Sequence, residues 1–397
     1  MGSMGTKLFG DPIPAKIILE GGFAFSGLAH GIESGTPRFG EFVFCTSMTG
    51  IEESLTDPSF ARQVLVSTVS HVGNTGFTGE DKESPRIWTE GLVCRHLTDQ
   101  PSNWRSKQSL RDWILAEGAF VVAGVDTRKF TEVLRDFGSQ RGMVMSEADF
   151  SKINFEKAKA LINENMPPME GQNLTELVST SRPLHFGTKN THPRGKIGIW
   201  DFGCKANTLR ILAQRGFEGV LLPVSTKAED FLSLGLNGIL LSNGPGDPAA
   251  ATHLHEELRK LLGKLPLFAI CLGHQLLAHA LGAKTYKMKY GHRGIHHPVV
   301  EVDLKSKKAL RTWITSQNHG FAVDPESLPH QASVWFVHAD DQSVEGFQVP
   351  HLKIRSVQFH PEACPGPHDS EILIDQFLNS VNPKNDLEVN HETSILS

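Results

Sequence analysis

From residue 196 onward, short apolar runs alternate with amphipathic stretches, and this alternation constrains the fold more than any other feature. The amphipathic stretches carry apolar residues at helical spacing, whereas the runs between them have the length of strands. The predicted strands are 196–200, 219–224, 237–241 and 265–270, and the predicted helices are 206–215, 253–262 and 273–281. Strands that alternate with helices form a parallel sheet covered on both faces. We therefore expect residues 195–381 to form an α/β domain with a mostly parallel open sheet.

The N-terminal part of the chain has a different pattern, with more strands than helices. Strand-like segments occur at 16–19, 41–45, 63–68 and 87–94, and helical patterns occur at 110–116 and 128–137. Residues 163–194 contain four prolines and little periodicity. We predict a mixed, strand-rich N-terminal domain at 7–160, a linker at 161–194 and a disordered polar tail at 382–397.

Charge and hydropathy exclude several classes of function. Lysine and arginine number 39 against 44 aspartate and glutamate residues, so the net charge is −5 and no basic field attracts nucleic acid. The longest apolar runs are far shorter than the roughly 20 residues of a membrane span. The five cysteines are odd in number and widely spaced, which favours a reducing compartment. We expect a cytoplasmic protein that handles a small substrate, with neither nucleic acid nor membrane as a partner.

One cysteine lies where a nucleophile would be expected. The apolar strand at 265–270 ends at Cys271, and a helical pattern begins directly after it. A sharp strand-to-helix turn presents a nucleophile at the carboxyl end of the sheet, where open α/β sheets bind ligands. The start of a helix also favours the reactive thiolate. The alternative is a core cysteine, because free cysteine is among the most buried residue types.

A histidine and a carboxylate follow another apolar run. His360 can accept the thiol proton, and Glu362 can hold the imidazole tautomer and stabilise its charged form. Alternatively, His360 is simply one of 19 histidines and Glu362 is a solvated carboxylate.

A glycine- and proline-rich loop, SNGPGDP at 242–248, follows the predicted strand 237–241. Its backbone N–H groups can face a developing oxyanion, although a plain turn has the same composition. Neither G-x-x-x-x-G-K-[ST] nor G-x-G-x-x-G occurs in the chain, so the loop is not a nucleotide cradle.

Together these segments resemble the class I (triad) glutamine amidotransferases, and more narrowly the small (glutaminase) subunits of glutamine-dependent carbamoyl-phosphate synthetase. The amidotransferase motifs are SNGPGDP at 242–248, CLGHQ at 271–275 and HPE at 360–362. The narrower resemblance is carried by KMKYGH at 287–292, HPV at 297–299, SQNHGFAV at 316–323, PGP at 365–367, TSMTG at 46–50, LTDPS at 55–59 and GVDTR at 124–128. The resemblance covers about the first 380 residues.

The resemblance implies a Cys-His-Glu triad of Cys271, His360 and Glu362. It also implies a glutamine site that draws on both domains and an oxyanion hole made by the amides of Gly244 and Leu272. The implied substrate-binding residues are Ser47, Gly244, Gly246, Leu272, Gln275, Asn318, Gly320 and Phe321. Ser47 was selected by the resemblance alone, because a turn serine carries no signal of its own.

The implied reaction is hydrolysis of glutamine to glutamate and ammonia. The ammonia would pass to a separate large synthetase subunit that makes carbamoyl phosphate from bicarbonate, in a heterodimer or a higher assembly of heterodimers. We expect no cofactor on this chain, with ATP and magnesium used by the partner. The product would serve arginine or pyrimidine synthesis.

Three positions depart from the family pattern. Ala269 stands where glycine is usual, His296 where asparagine is usual, and Cys364 where serine is common. His296 forms a run with His292 and His297 that suggests zinc, but no cysteine or second ligand pair accompanies it at the usual spacing. We therefore expect no metal site.

Three other functions remain open at this point. One is a different triad amidotransferase subunit, against which the matched N-terminal domain argues. Another is a catalytically inactive regulatory subunit, which would release no ammonia from glutamine. The third is a cysteine peptidase, which would cleave peptides.

Overall fold

The computed structural model describes residues 11–187 and 192–382, and the chain separates into two units between Met169 and Glu170. The predicted start of the first domain, 7–10, and the predicted tail beyond Asn382 lie outside the described residues. No helix among the described residues is long and apolar enough to cross a membrane.

The first unit is built around a closed barrel of seven strands. The strands of this unit are β1 (Ile13–Leu19), β2 (Ala24–His30), β3 (Arg38–Cys45), β4 (Gln63–Ser67), β5 (His71–Val72), β6 (Gly91–Val93), β7 (His96–Leu97), β8 (Phe120–Ala123) and β9 (Gln140–Ser146). Its helices are α1 (Ile51–Thr56), α2 (Leu110–Ala116), α3 (Thr127–Phe137), α4 (Glu147–Phe150) and α5 (Phe155–Asn165). The barrel order is β1-β2-β8-β6-β4-β3-β9, with parallel pairing in β3–β4, β4–β6 and β6–β8. The unit is therefore mixed and strand-rich, as its sequence pattern indicates.

The second unit is a ten-stranded sheet with helices. Its strands are β10 (Leu184–Phe186), β11 (Lys196–Trp200), β12 (Glu218–Leu222), β13 (Gly238–Leu241), β14 (Leu267–Ile270), β15 (Thr285–Val302), β16 (Ala309–Val323), β17 (Ser333–His338), β18 (Val344–Val349) and β19 (Ile354–Val357). Its helices are α6 (Thr175–Val178), α7 (Ala206–Gln214), α8 (Ala228–Ser233), α9 (Thr252–Leu261), α10 (Leu272–Ala280) and α11 (Ile372–Ser380). The strand order is β10-β12-β11-β13-β14-β19-β18-β16-β15-β17.

The sheet is parallel in only half of its strands, which corrects the expectation of a mostly parallel sheet. Strands β12, β11, β13, β14 and β19 pair in parallel, whereas β10 and β15 to β18 pair antiparallel. Parallel neighbours need a crossover connection of a dozen or more residues, usually a helix. Residues 285–349 contain no α-helix and connect their strands directly, so they extend the sheet in antiparallel fashion.

The segment predicted as a linker, 161–194, contains regular structure. Its first residues complete α5, and β10 pairs antiparallel with β12 at the edge of the sheet. Proline interrupts a central strand but is tolerated beside an edge strand, so Pro183 does not prevent β10 from forming.

The parallel strands lie in the core of the second unit. Every residue of β13 and β14 is buried, because helices cover both faces of such a sheet. Removing these apolar side chains from water stabilises the fold by about 25 cal/mol per Å². The carboxyl ends of β13, β14 and β19 consequently form a fixed platform on which the candidate site is built.

Candidate active site

Cys271 stands at the turn between β14 and α10, at the carboxyl end of the parallel strands. Its φ of 52° lies in the left-handed region, which costs a non-glycine residue about 1–3 kcal/mol. The following turn packs tightly, since a Cβ on Gly273 would lie 2.5 Å from the carbonyl oxygen of Leu241. This is the geometry of a nucleophile elbow, in which a strained turn fixes the thiol at the end of the sheet.

His360 reaches the same end of the sheet because β14 and β19 are parallel neighbours. Ile270 pairs with Val357, so Cys271 and His360 both follow the ends of adjacent strands. The backbone N–H of His360 donates to the carbonyl oxygen of Ser316 at 2.9 Å, which ties this turn to β16. Residues that are distant in sequence are thereby brought together at the carboxyl edge.

Glu362 orients the imidazole of His360. The two side chains are buried, and His360 Nδ1 lies 2.6 Å from Glu362 Oε1. A carboxylate accepts, so Nδ1 carries the proton, and the neutral ring presents a lone pair at Nε2. Nε2 has no hydrogen-bond partner among the described residues. The ring is therefore held in the tautomer that can take a proton from a nucleophile.

Charge governs the protonation of this pair. Burial favours the neutral ring, but the negative charges of Glu362 and of a Cys271 thiolate outweigh it and raise the pKa of His360 to about 10. For Glu362, burial acts to raise the pKa, whereas the positive charges of His360 and Lys205 hold the pKa below its usual value. The environment thus stabilises the imidazolium that forms when His360 takes a proton, and it keeps Glu362 ionised.

Lys205, which the sequence pattern does not indicate, lies against the carboxylate of Glu362. Its side chain is 2% exposed, and Nζ lies 3.5 Å from Glu362 Oε1. Nζ also donates to the carbonyl oxygen of Ala363, and Asn207 Nδ2 donates to the carbonyl oxygen of Glu362 at 2.6 Å. A buried carboxylate needs such compensation. The available signal was position, since Lys205 follows the carboxyl end of β11.

The loop 242–248 lies beside the elbow. Gly273 N–H donates to the carbonyl oxygen of Ser242 at 3.0 Å, and the Ser242 hydroxyl accepts from Phe202 N–H at 2.9 Å. Gly244 fits closely, because a Cβ there would lie 2.0 Å from the carbonyl oxygen of Phe202 and 2.9 Å from Leu272 Cδ2. Gly244 and Leu272 are therefore neighbours at the end of the sheet.

The amides of Gly244 and Leu272 are free to donate. Leu272 is the first residue of α10, so its N–H has no partner within the helix. Neither N–H donates a hydrogen bond to a residue within 11–187 or 192–382. Gly246, with φ of 99°, bridges to Asn173.

The remaining C-terminal residues that the resemblance implied also lie near the elbow. The thiol of Cys271 donates to the carbonyl oxygen of Asn318 at 3.6 Å. Gln275 Nε2 donates to the carbonyl oxygen of Phe321 at 2.7 Å and to Gln358 Oε1 at 2.8 Å. Gly320 lies between Asn318 and Phe321 on β16.

Ser47 belongs to the first unit, where it follows β3. It is half-buried, and its hydroxyl lies 3.2 Å from Cys45 Sγ. Its contact with glutamine remains a prediction.

The three departures from the family pattern lie in different environments. Ala269 is fully buried in β14, and its φ lies outside the left-handed region, so its methyl group imposes no backbone strain there. His296 is exposed, and Cys364 is half-buried.

Two known family models match the chain. Residues 17–144 match "Carbamoyl-phosphate synthase small chain, CPSase domain", and residues 199–380 match "Glutamine amidotransferase class-I". A glutamine amidotransferase of known structure from Thermotoga maritima is 19% identical, with a TM-score of 0.34, over 49% of this chain and 86% of that chain.

Proteins named carbamoyl phosphate synthase small chain match almost the whole sequence. The protein of Akkermansia muciniphila is 43% identical over 375 residues, 92% of this chain and 97% of its own length. That of Pseudomonas aeruginosa is 41% identical over 382 residues, 93% of this chain and 98% of its own length. That of Xylella fastidiosa strain 9a5c is 40% identical over 376 residues, 92% of this chain and 97% of its own length.

Proposed function

Since the chain belongs to the family of carbamoyl-phosphate synthase small chains and is a glutamine-hydrolysing subunit, we propose that Cys271, His360 and Glu362 form its catalytic triad. The observation that supports this proposal is that a nucleophile elbow and an oriented histidine lie at the same edge of the sheet. A strained elbow presents the thiol, and His360 holds its proton-accepting nitrogen under control of Glu362.

In the first half of the reaction, His360 Nε2 takes the thiol proton and Cys271 Sγ attacks the carboxamide carbon of glutamine. The amides of Gly244 and Leu272 stabilise the oxyanion that forms. The C–N bond then breaks, and His360 returns the proton to the departing nitrogen as ammonia. A glutamyl thioester remains on Cys271.

In the second half, water attacks the thioester carbon and gives a proton to His360. The C–S bond breaks, glutamate leaves, and the sulfur of Cys271 takes the proton back. Glutamine and water are thereby converted into glutamate and ammonia. Two moderate barriers replace the single high barrier of direct amide hydrolysis.

The ammonia then serves a separate large subunit, which uses bicarbonate and ATP with magnesium to make carbamoyl phosphate. The family supports the existence of this partner. The two matched regions, 17–144 and 199–380, correspond to the small-chain and glutaminase parts, so we assign the ATP chemistry to the partner.

Replacement of the nucleophile tests this assignment. Cys271→Ser should abolish carbamoyl-phosphate synthesis from glutamine, while the assembled enzyme continues to work with added ammonia, because only the nucleophile is lost. Cys364→Ser is the matched control, since serine is common at that position in the family, and it should retain both activities. Equal loss with both nitrogen sources in Cys271→Ser would contradict the division of labour.

A further inference from the structure

A histidine-rich cluster lies in the antiparallel part of the second unit, where β15, β16 and β18 supply one residue each. His292 and His319 are directly paired across β15 and β16, and Glu345 lies on β18. They are 6%, 5% and 0% exposed, respectively. Their ligand atoms all lie within 4.8 Å of one another.

His319 presents an unprotonated nitrogen to this cluster. Its Nδ1 lies 2.8 Å from the carbonyl oxygen of Phe321, which can only accept, so Nδ1 carries the proton. The ring is buried, and Nε2 lies 3.7 Å from Glu345 Oε1, beyond hydrogen-bonding distance, so nothing there stabilises a second ring proton. Nε2 consequently points a lone pair inward and has no hydrogen-bond partner among the described residues.

His292 is oriented in the corresponding way. Its Nε2 lies 3.1 Å from Asp341 Oδ2. The backbone N–H and the hydroxyl of Ser343 both donate to the Oδ1 of this partly exposed carboxylate, which acts as an acceptor in the network. Nε2 therefore donates its proton to Asp341, and Nδ1 faces the cluster without a hydrogen-bond partner in the described part of the chain. A histidine fixed by an outer carboxylate is the usual arrangement of a metal ligand.

Glu345 supplies the third ligand atom of the cluster. Its Oε2 accepts from Gln317 Nε2 at 2.7 Å, which fixes the carboxylate. Its Oε1 lies 3.5 Å from His292 Nδ1 and 3.7 Å from His319 Nε2. The Ser343 hydroxyl is 3.5 Å from Oε1 but 2.7 Å from Asp341 Oδ1, so its proton goes to Asp341. Three electron-pair donors thus face one another away from water.

We propose that His292, His319 and Glu345 bind a divalent cation of the zinc class. Zinc with bonds of 2.0–2.1 Å separates tetrahedral ligands by roughly 3.3 Å. Glu345 Oε1 lies 3.5 Å from His292 Nδ1 and 3.7 Å from His319 Nε2, close to that separation. Two imidazoles and a carboxylate are a common zinc ligand set that leaves a position for water. The sequence expectation of no metal rested on the lack of a second ligand pair, and β16 and β18 supply it.

A proton on His292 is the rival explanation. Burial opposes it, but the hydrogen bond to Asp341 and the carboxylate of Glu345 raise the pKa of His292 to about 9. That proton would satisfy Nδ1 of His292 alone. The lone pair of His319 would still face Glu345 Oε1 without a donor, whereas a cation accounts for both nitrogens.

The neighbouring pair of His297 and His338 does not need a cation. The backbone N–H of Asp340 donates to His338 Nδ1 at 3.2 Å, so His338 Nε2 carries the ring proton. That proton points to His297 Nδ1 at 3.2 Å, and the two rings satisfy each other. The cluster of His292, His319 and Glu345 is therefore the one that we assign as the cation site.

The cation would stabilise β16, the strand that carries residues beside the Cys271 elbow. It would tie β15, β16 and β18 through one residue each, and it would polarise the Nδ1–H that His319 donates to the carbonyl oxygen of Phe321. That oxygen also accepts from Gln275 Nε2, one of the residues beside Cys271.

Metal content of the full chain, purified without chelator and supplied with zinc, tests the proposal. We expect about one equivalent of zinc per chain by mass spectrometry, because metal bound by a folded site is retained with the fold. Chelator should lower the Tm, and added Zn²⁺ should restore it. Co²⁺ in its place should show the visible absorption of a four-coordinate site.

Three variants locate the site. Asp341→Asn should weaken zinc binding about 10- to 100-fold, the effect of losing an outer partner. Asp340→Asn is its control, since that neighbouring side chain is 78% exposed, and it should bind zinc like the parent. Glu345→Gln, which retains the volume but not the charge, should weaken binding by more than Asp341→Asn does.

Either of two results would overturn the proposal. One is a parent chain that binds Zn²⁺ no more tightly than Glu345→Gln. The other is a nitrogen NMR spectrum of zinc-treated protein in which both ring nitrogens of His292 are protonated, which would assign the site to a proton.

Discussion

Removal of the charge of Glu362, without removal of its shape, tests how the proposed triad works. In Glu362→Gln the amide oxygen can still accept from His360 Nδ1, but the negative charge beside the buried ring is gone. The variant therefore separates electrostatic support of the imidazolium from simple orientation of the ring.

The expected magnitude follows from the hydrogen bond between His360 and Glu362. Of the charges that raise the pKa of His360 against the opposing effect of burial, that of Glu362 contributes most. A hydrogen bond to a charged group is worth roughly 1.5–3 kcal/mol, so loss of the charge should lower kcat about 10- to 100-fold. This is milder than loss of the nucleophile or the base, as is usual for the orienting member of a triad.

The pH profile supplies the sharper readout. His360 is an imidazolium below its folded pKa and loses that charge as the pH rises through about 10. Without the charge of Glu362, the effect of burial is less opposed and the pKa of His360 falls. The decline of kcat/KM at high pH should therefore begin at a lower pH. Glutaminase assays across pH, on the chain assembled with its partner, measure both quantities.

Glu229→Gln is the control, because that side chain is 69% exposed and interacts with Lys260 at the surface. It should leave rate and pH profile unchanged. The reasoning would be refuted if Glu362→Gln kept the parent's basic limb and its kcat within about threefold of the parent's, since a purely structural carboxylate predicts that result.

Three further outcomes are expected. His360→Asn should lose synthesis from glutamine but keep synthesis from added ammonia, and a loss with both nitrogen sources would contradict its role as the base. Gly273→Ala should destabilise the fold by roughly 1–3 kcal/mol, because its methyl group would lie 2.5 Å from the carbonyl oxygen of Leu241. An unchanged denaturation midpoint would contradict this, since it would mean that α10 shifts to accommodate the methyl group. The isolated chain should be a slow glutaminase that accelerates when the large subunit binds, because oxyanion amides act only when accurately aligned; equal turnover of the free chain and the complex would refute this coupling.

Much of the second unit was predictable because its pattern is local. Periods of two and 3.6 residues are set by backbone geometry, so most strands and helices from 196 to 281 could be predicted from neighbouring residues, although the short helix α8 was missed. The helix predicted at 206–215 is α7, and the one predicted at 273–281 is α10, shifted by one residue. The strand-to-turn-to-helix pattern around Cys271 is equally local.

Contacts between segments that are distant along the chain could not be predicted from the sequence pattern in the same way. His360 was linked to Cys271 through the family resemblance, whereas the structural reason is the parallel pairing of β14 with β19. The position of Lys205 after β11 is too weak a signal to predict its contact with Glu362, because a lysine after a strand is ordinarily solvated. The antiparallel half of the sheet was missed because the alternation of strands with helices ends before it begins.

The sequence by itself therefore determined the parallel strands β11 to β14, the elbow and the adjacent pair of His360 and Glu362, all of which depend on residues close along the chain. Only the tertiary structure decided which strands are neighbours and in what register. Register sets which buried groups face one another, and it brings His292 and His319 opposite each other on β15 and β16 with Glu345 nearby on β18. Packing of the whole sheet fixes that register, because a shift of one residue would turn every side chain to the other face.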